Sequence, residues 1–270
     1  MPSSFCDSST WRIVFRDEFD LPTIDKRWWT ILNGTHKKPH DQLKADCHGS
    51  DCDLLGACRD AACTVDSVKV AGGRLVLTSQ RRRAFGRNFT TGAVITRDKL
   101  TFLSDDEPFR MCIAAVLPGV PGRSAGVWPA HWLMPNDGSC DPDHGEMDIM
   151  EMVKGDGNAY STYHWQDKGA PKCAFPHNHS HAYSEKKLAD GWNTAMHEFA
   201  VERGASHVAF ALDGNVVLNT SKAVFTRSIP WYLILNTAIG GGWPGPVTPE
   251  TAFPITHEID FVRVARPVYR

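Results

Sequence analysis

A chain of 270 residues, 42% apolar and 22% charged, suits one large globular domain. Its net charge of −2 gives no electrostatic attraction for nucleic acid or an anionic membrane. No apolar run approaches the roughly 18 residues needed to span a bilayer. Nine tryptophans are many for a chain of ordinary aromatic content, and tryptophan is well suited to covering flat apolar ligand faces.

The first residues, MPSSFCDSST, lack the charged start and apolar core of a signal peptide. Two other features nevertheless favour a secreted, extracellular chain whose signal has been removed or replaced by Met1. One is eight cysteines: Cys6, Cys47, Cys52, Cys58, Cys63, Cys112, Cys140 and Cys173. The other is four N-x-S/T sequons, at Asn33, Asn88, Asn178 and Asn219. Disulfides are expected, in a connectivity that spacing does not settle. Cys112, in mid-strand, reads as a buried free thiol. The alternative of a zinc module over Cys47, Cys52, Cys58 and Cys63 fits poorly with the usual ligand spacing.

In chain order, residues 1–35 hold FRDEFD and the pair Trp28-Trp29, read as a first strand and its return. Residues 36–66 are polar and cysteine-dense, and read as a loop or insertion. From Val68 onward, short apolar runs alternate with turn signals such as PGVPGRSAG, NDGSCDPDHG, KGDGN and GGGWPGP. The runs are β-branched and aromatic, with few segments at helical period. Asp213-Gly214, between HVAFAL and NVVLN, predicts a hairpin with a tight primed turn. One short helix is expected near Ser184–Leu188. With no internal repeat and no linker, the reading is a single domain over 1–270, all-β, built as a sandwich of two antiparallel sheets.

One strand is unusually acidic: Gly145-Glu146-Met147-Asp148-Ile149-Met150-Glu151-Met152-Val153. Period-2 alternation puts Glu146 and Asp148 on one face and Glu151 on the other. A one-residue β-bulge between Asp148 and Glu151 would restore the phase and bring all three to one face. Two glutamates so placed could approach the ~5–5.5 Å separation that retaining glycosidases use, with Asp148 between them. Like charges in such a cluster push at least one pKa up, which leaves a proton for general acid work. Trp128 and Trp132, four apart in VWPAHWLMP, Trp243 in a Gly-rich loop, and His164 in STYHW add what pyranose rings need: indole faces for stacking and polar groups for hydroxyls.

These residues carry a resemblance to glycoside hydrolase family 16, above all its laminarinase-like endo-β-1,3-glucanases. Glu146–Glu151 is similar to the family's bulged E-x-D-x-x-E motif, and Gly126–Pro135 to its G-x-WPA-x-W-LMP segment. Leu235–Gly245 resembles its late strand and GG-x-WPG loop; Phe15–Phe19 and Ile259–Val264 resemble its first and last strands. The resemblance covers about residues 11–264. It implies a β-jelly roll with a concave substrate cleft and a retaining double displacement. Glu146 would be the nucleophile, Glu151 the acid/base and Asp148 their helper. Trp128, Trp132 and Trp243 would be subsite platforms, with His164 contacting sugar or Glu151. Catalysis would need no cofactor. A structural calcium is implied at Glu18, Gly73 and Asp260. The expected partner is a polysaccharide, a β-glucan, handled by a monomer, with neither nucleic acid nor membrane involved.

Two stretches depart from the family pattern: Glu107–Met111, and the 36–66 segment, which replaces a region that often supplies cleft residues. Rival readings are a non-catalytic glucan-binding protein on the same fold and a galactan hydrolase or transglycosylase of the same family. The first should have lost a motif acid. The second should line its cleft with extra cations, and Arg81-Arg82-Arg83 reads as a solvated strand end. His177-Asn178-His179-Ser180-His181 reads as a surface loop glycosylated at Asn178 rather than as a metal site.

Overall fold

The computed structural model describes residues 4–35, 54–100, 103–139, 142–171, 179–224 and 228–269. Its described residues form two antiparallel sheets packed face to face, the sandwich expected from the alternating runs. The back sheet follows the order β15 (Asn215–Thr220), β14 (Val208–Leu212), β13 (His197–Arg203), β8 (Phe109–Val116), β17 (Ile255–Pro267), β5 (Arg74–Ser79) and β4 (Val68–Ala71), with β1 (Trp11–Asp17) also paired to β17. The front sheet follows β12 (His179–Lys187), β11 (Asn158–Gln166), β10 (Glu146–Glu151), β9 (Val127–Pro135), β16 (Trp231–Ile239), β7 (Ala93–Ile95) and β2 (Thr30–Ile31). A short parallel pair, β3 (Ala62–Cys63) with β6 (Thr90–Thr91), stands apart.

Alternation decides which residues meet between the sheets. Leu75, Leu77, Met111, Ile113, Phe199, Val201, Phe210, Val262 and Val264 of the back sheet pack against Val94, Leu133, Met147, Ile149, Tyr163, Leu233 and Leu235 of the front one. Non-polar burial of this kind is the main favourable term in folding. His131 and His257 are fully buried in the same layer, with their Nε2 atoms 2.9 Å apart. Burial holds the His257 imidazole down to about 3, partly opposed by a backbone hydrogen bond at Asn236. Burial, and then the neighbouring His257, hold His131 well below the usual histidine range.

The outer face of the back sheet is covered by the N-terminal segment. Cys6, Cys112, Ala114, Ala200, Phe261 and Ala265 form a second buried cluster there. Cys6 and Cys112 are bridged, with Cα atoms 6.1 Å apart. Cys112 is therefore not a free thiol: a segment more than a hundred residues upstream folds onto its strand. The Arg110 guanidinium lies against Phe5 and Trp11, 4.0 and 4.2 Å from their ring centres, and donates to Glu202.

The structure corrects two further expectations. Ser184–Leu188 is not helical: Ser184 to Lys187 belong to β12, an edge strand paired throughout with β11. The 36–66 segment is only partly a surface insertion. Residues 36–53, with Cys47 and Cys52, lie outside the described residues, as do Cys140 and Cys173. From Leu54 the chain forms a 3-10 turn, Leu54–Cys58, and then β3. Cys58, Ala61, Ala62 and Cys63 are fully buried, and Cys58 is bridged to Cys63, which takes both thiols from the zinc alternative. The Asp213-Gly214 hairpin forms as expected, with positive φ of 49° and 76° and Leu212 paired to Asn215.

Candidate active site

The outer face of the front sheet carries the candidate site. On β9 the residues facing out are Trp128, Ala130 and Trp132, because His131 and Leu133 face the core. On β10 the register shifts between Asp148 and Glu151 against both neighbours. Asp148 pairs with Trp132 and Thr162, whereas Glu151 pairs with Ala130 and Tyr160. Ile149 and Met150, both fully buried, occupy the place that one residue fills on either flanking strand. The Ser161 hydroxyl donates to the Ile149 carbonyl at 2.9 Å, which ties down the extra residue. The bulge inferred from the phase of the acids is present, and it puts Glu146, Asp148 and Glu151 in one row facing the same cavity.

That cavity encloses about 460 Å³. One wall is aromatic. The Trp128 indole N–H donates to Glu151 Oε1 at 2.9 Å, which fixes the plane of that carboxyl. Trp243 meets Trp128 edge to face at 5.5 Å and Tyr160 at 5.1 Å. The Tyr160 hydroxyl donates to Asp156 at 3.0 Å. Burial, against an opposing bond from Asn158 and with a bond to Asp156 and the charges of Asp156 and Glu185 adding to it, pushes this phenol up to about 12, so it stays a neutral donor. Arg59 lies 4.7 Å over the Trp128 ring. The other wall comes from β11 and β12, where His164 stands opposite Glu146 in register and opposite His181.

Asp148, nearly buried, lies 3.2 Å from His164 Nε2. This is the acid that His164 touches, where Glu151 had been the expected protein contact. Trp132 lies on the same face, but it does not line the cavity. Its Nε1 donates to Asn236 Oδ1 at 2.8 Å, and it packs beside Ala57. Asn236 in turn donates to the Ala57 carbonyl at 2.8 Å. The 54–63 stretch thus supplies cleft structure that sequence reading missed, Arg59 above all. Its close approach explains the glycines of the late loop. At Gly240, φ is 77° and an added Cβ would lie 2.1 Å from an Asp60 oxygen. Arg81 lies over Phe89 and Phe253, and does not line the cavity.

The residues expected to hold calcium lie on the back sheet. Arg263 makes two bonds to the Glu18 carboxylate, at 2.8 and 2.7 Å, and Asp260 is 3.6 Å from the Arg74 guanidinium. These acids already have cationic partners. A calcium bound through the Asp260 carboxylate would have to draw it away from Arg74.

The model of the glycosyl hydrolases family 16 matches residues 82–263. The chain belongs to this family. A β-glucanase of Rhodothermus marinus is 27% identical over 274 residues, covering 95% of this chain and 85% of that protein. A glucan endo-1,3-β-glucosidase A1 of Niallia circulans is 25% identical over 279 residues, covering 93% of this chain but 37% of its own length. The structure superposes on the laminarinase catalytic domain of Thermotoga maritima MSB8 with a TM-score of 0.75 at 26% identity, covering 97% of this chain and 100% of that domain. The protein is therefore a glycoside hydrolase with the family's jelly-roll fold, as its acidic strand and tryptophan segments implied.

Proposed function

We propose that the protein is a secreted, monomeric endo-hydrolase that cleaves internal β-1,3 linkages of glucan with retention of configuration. The observation that carries this reading is the bulge, which aligns Glu146, Asp148 and Glu151 on the floor of an aromatic-walled cleft. In the first step the Glu146 carboxylate attacks the anomeric carbon. The glycosidic C–O bond breaks, and Glu151 gives its proton to the departing oxygen. In the second step Glu151, now a carboxylate, takes a proton from water. The water oxygen attacks the same carbon and releases Glu146. Asp148, beside His164 and in the same row as Glu146, tunes where the proton of the acid cluster rests. The Trp128 bond keeps the Glu151 carboxyl aimed at the leaving oxygen, a positioning contribution to the rate. Trp128 and Trp243 offer their indoles to sugar faces in the cavity, and Trp132, on the same face but outside it, is left to a more distant subsite.

The resemblance of the motifs and the β-glucanase and laminarinase relatives support glucan as substrate. Secretion is supported by the two cysteine pairs bridged among the described residues and by the exposure of Asn33, Asn88 and Asn219; Asn178 lies outside the described residues. Catalysis is expected to persist in chelator. Calcium, if it binds at Glu18, Gly73 and Asp260, is expected to change melting temperature and not turnover.

The deciding experiment compares products from laminarin, lichenan, agarose and carrageenan. Internal cleavage of laminarin, with the β-anomer formed first by NMR, is the expected result. An α-anomer would overturn the mechanism, and untouched laminarin the linkage. Binding of laminarin without cleavage would turn the reading toward a glucan-recognition protein.

A further inference from the structure

The wall of the cleft opposite the tryptophans carries a histidine cluster of which the hydrolytic chemistry uses only the contact of His164 with Asp148. His179 and His181 are alternate residues of β12 and so share its cleft face, while His164 on β11 is paired directly with His181. Each of the three offers a ring nitrogen within 4.8 Å of the other two. The His164 ring centre lies 5.8 Å from that of His179 and 5.5 Å from that of His181. All three line the cavity that holds the catalytic acids.

His164 is the best prepared of the three. Its Nε2 faces Asp148 at 3.2 Å, and its Nδ1 is buried without a hydrogen-bond partner. A carboxylate that accepts a hydrogen bond from one ring N–H leaves the lone pair on the other nitrogen, and it orients the ring and raises its basicity. Metal-ligating histidines are held by this kind of partner. A buried nitrogen without a partner is also costly unless something occupies it.

We propose that His164, His179 and His181 form a binding site for a divalent transition metal, of which zinc is the representative. Three imidazoles suit zinc, copper and nickel, whereas calcium and magnesium take oxygen ligands. Nitrogens 4.8 Å apart need only modest side-chain rotation to reach a common ion at about 2.0–2.1 Å. Three protein ligands leave a fourth position for water, and here that position opens on the cleft. Because His164 stands opposite Glu146, the bound ion places a positive charge and a hydration shell on the nucleophile's flank, where a sugar would have to lie. The site therefore also blocks the cleft, a consequence that rests on the glucanase reading above.

The test has two arms. In the first, zinc sulfate is titrated into the full chain by calorimetry, with no substrate present. One equivalent should bind, and H179A and H181A should each weaken binding at least about ten-fold. No binding at up to about 100 µM zinc, or binding that both variants leave unchanged, overturns the site. In the second arm, turnover is measured with and without zinc, each variant against its own metal-free rate. Wild-type inhibition that EDTA reverses, and that H181A loses, supports the block. Zinc binding that depends on the histidines while turnover stays constant overturns the block and leaves the site. A chain inactive on every glucan defeats the functional reading, yet the first arm remains readable.

Discussion

The two outer faces of this sandwich treat their acids in opposite ways. On the back sheet Glu18, Glu202 and Glu258 each meet an arginine, Arg263, Arg110 and Arg74, at 2.7 Å. On the front sheet Asp148 meets an imidazole and Glu151 an indole N–H, and with Glu146 they face a cavity. A guanidinium gives a carboxylate a cationic partner that holds it in place. An indole orients the carboxyl without supplying a countercharge. The same residue type is structural cement on one face and a reagent on the other, and the difference lies in what each acid is given as a partner.

The sharpest way to break that comparison is to remove the reagents. Glu146→Ala and Glu151→Ala should each lower turnover of laminarin by about a thousand-fold or more while melting temperature holds; near-normal turnover in either would sink the assignment. Next, Trp128→Phe keeps an aromatic ring but deletes the bond to Glu151. A fall in kcat of roughly ten- to a hundred-fold is expected, with a smaller change in KM. On the back face the expected effects are on stability alone. Removing the Cys6–Cys112 bridge by a double alanine substitution opens a link with a sequence separation of 106 and should cost about 2–5 kcal/mol, read as a lower denaturation midpoint at unchanged kcat. The layer between the faces gives a pH test. His131 and His257 are held below their unfolded values by burial, so the unfolded chain binds protons first on acidification. Stability from this pair should be complete above about pH 6.5 and lost as pH falls toward 3. A melting temperature independent of pH across that window would contradict it. Smallest of all, Glu18→Gln should change stability by about 1 kcal/mol or less, because that pair is partly exposed.

Legibility followed the strength of local pattern. The bulge was readable because Glu151 is out of phase with Asp148 by a single position, and only an extra residue mends it. The Asp213-Gly214 turn was readable because its backbone demands those residue types. What failed depended on distant partners. HSHAYSEKK carries no apolar stripe, since one face of β12 looks into the cleft and the strand lies at the sheet edge; without that stripe it was taken in part for a helix. Cys112 looked alone because its partner lies in a segment that folds back over the sheet. The 54–63 stretch looked like a polar loop, yet its cysteines and alanines are buried against β6 and β16. Arg59 reached the cleft through that packing, which no local spacing announces. Trp132 was placed on the correct face, but its distance from the cavity depends on Ala57 and Asn236, residues far from it in sequence.

The pairing of β1 with β17 has a further consequence. Trp11 lies opposite Pro267, the Val268 amide donates to the Thr10 carbonyl, and the residues before β1 run over the outer face of the same sheet, so the first and last described segments both lie on the side that faces away from the cleft. Any polypeptide attached at either end would start from behind the working face. An appended carbohydrate-binding or anchoring module could then hold the enzyme against an insoluble polymer with its groove turned outward, and fusions at either end should be equally tolerated.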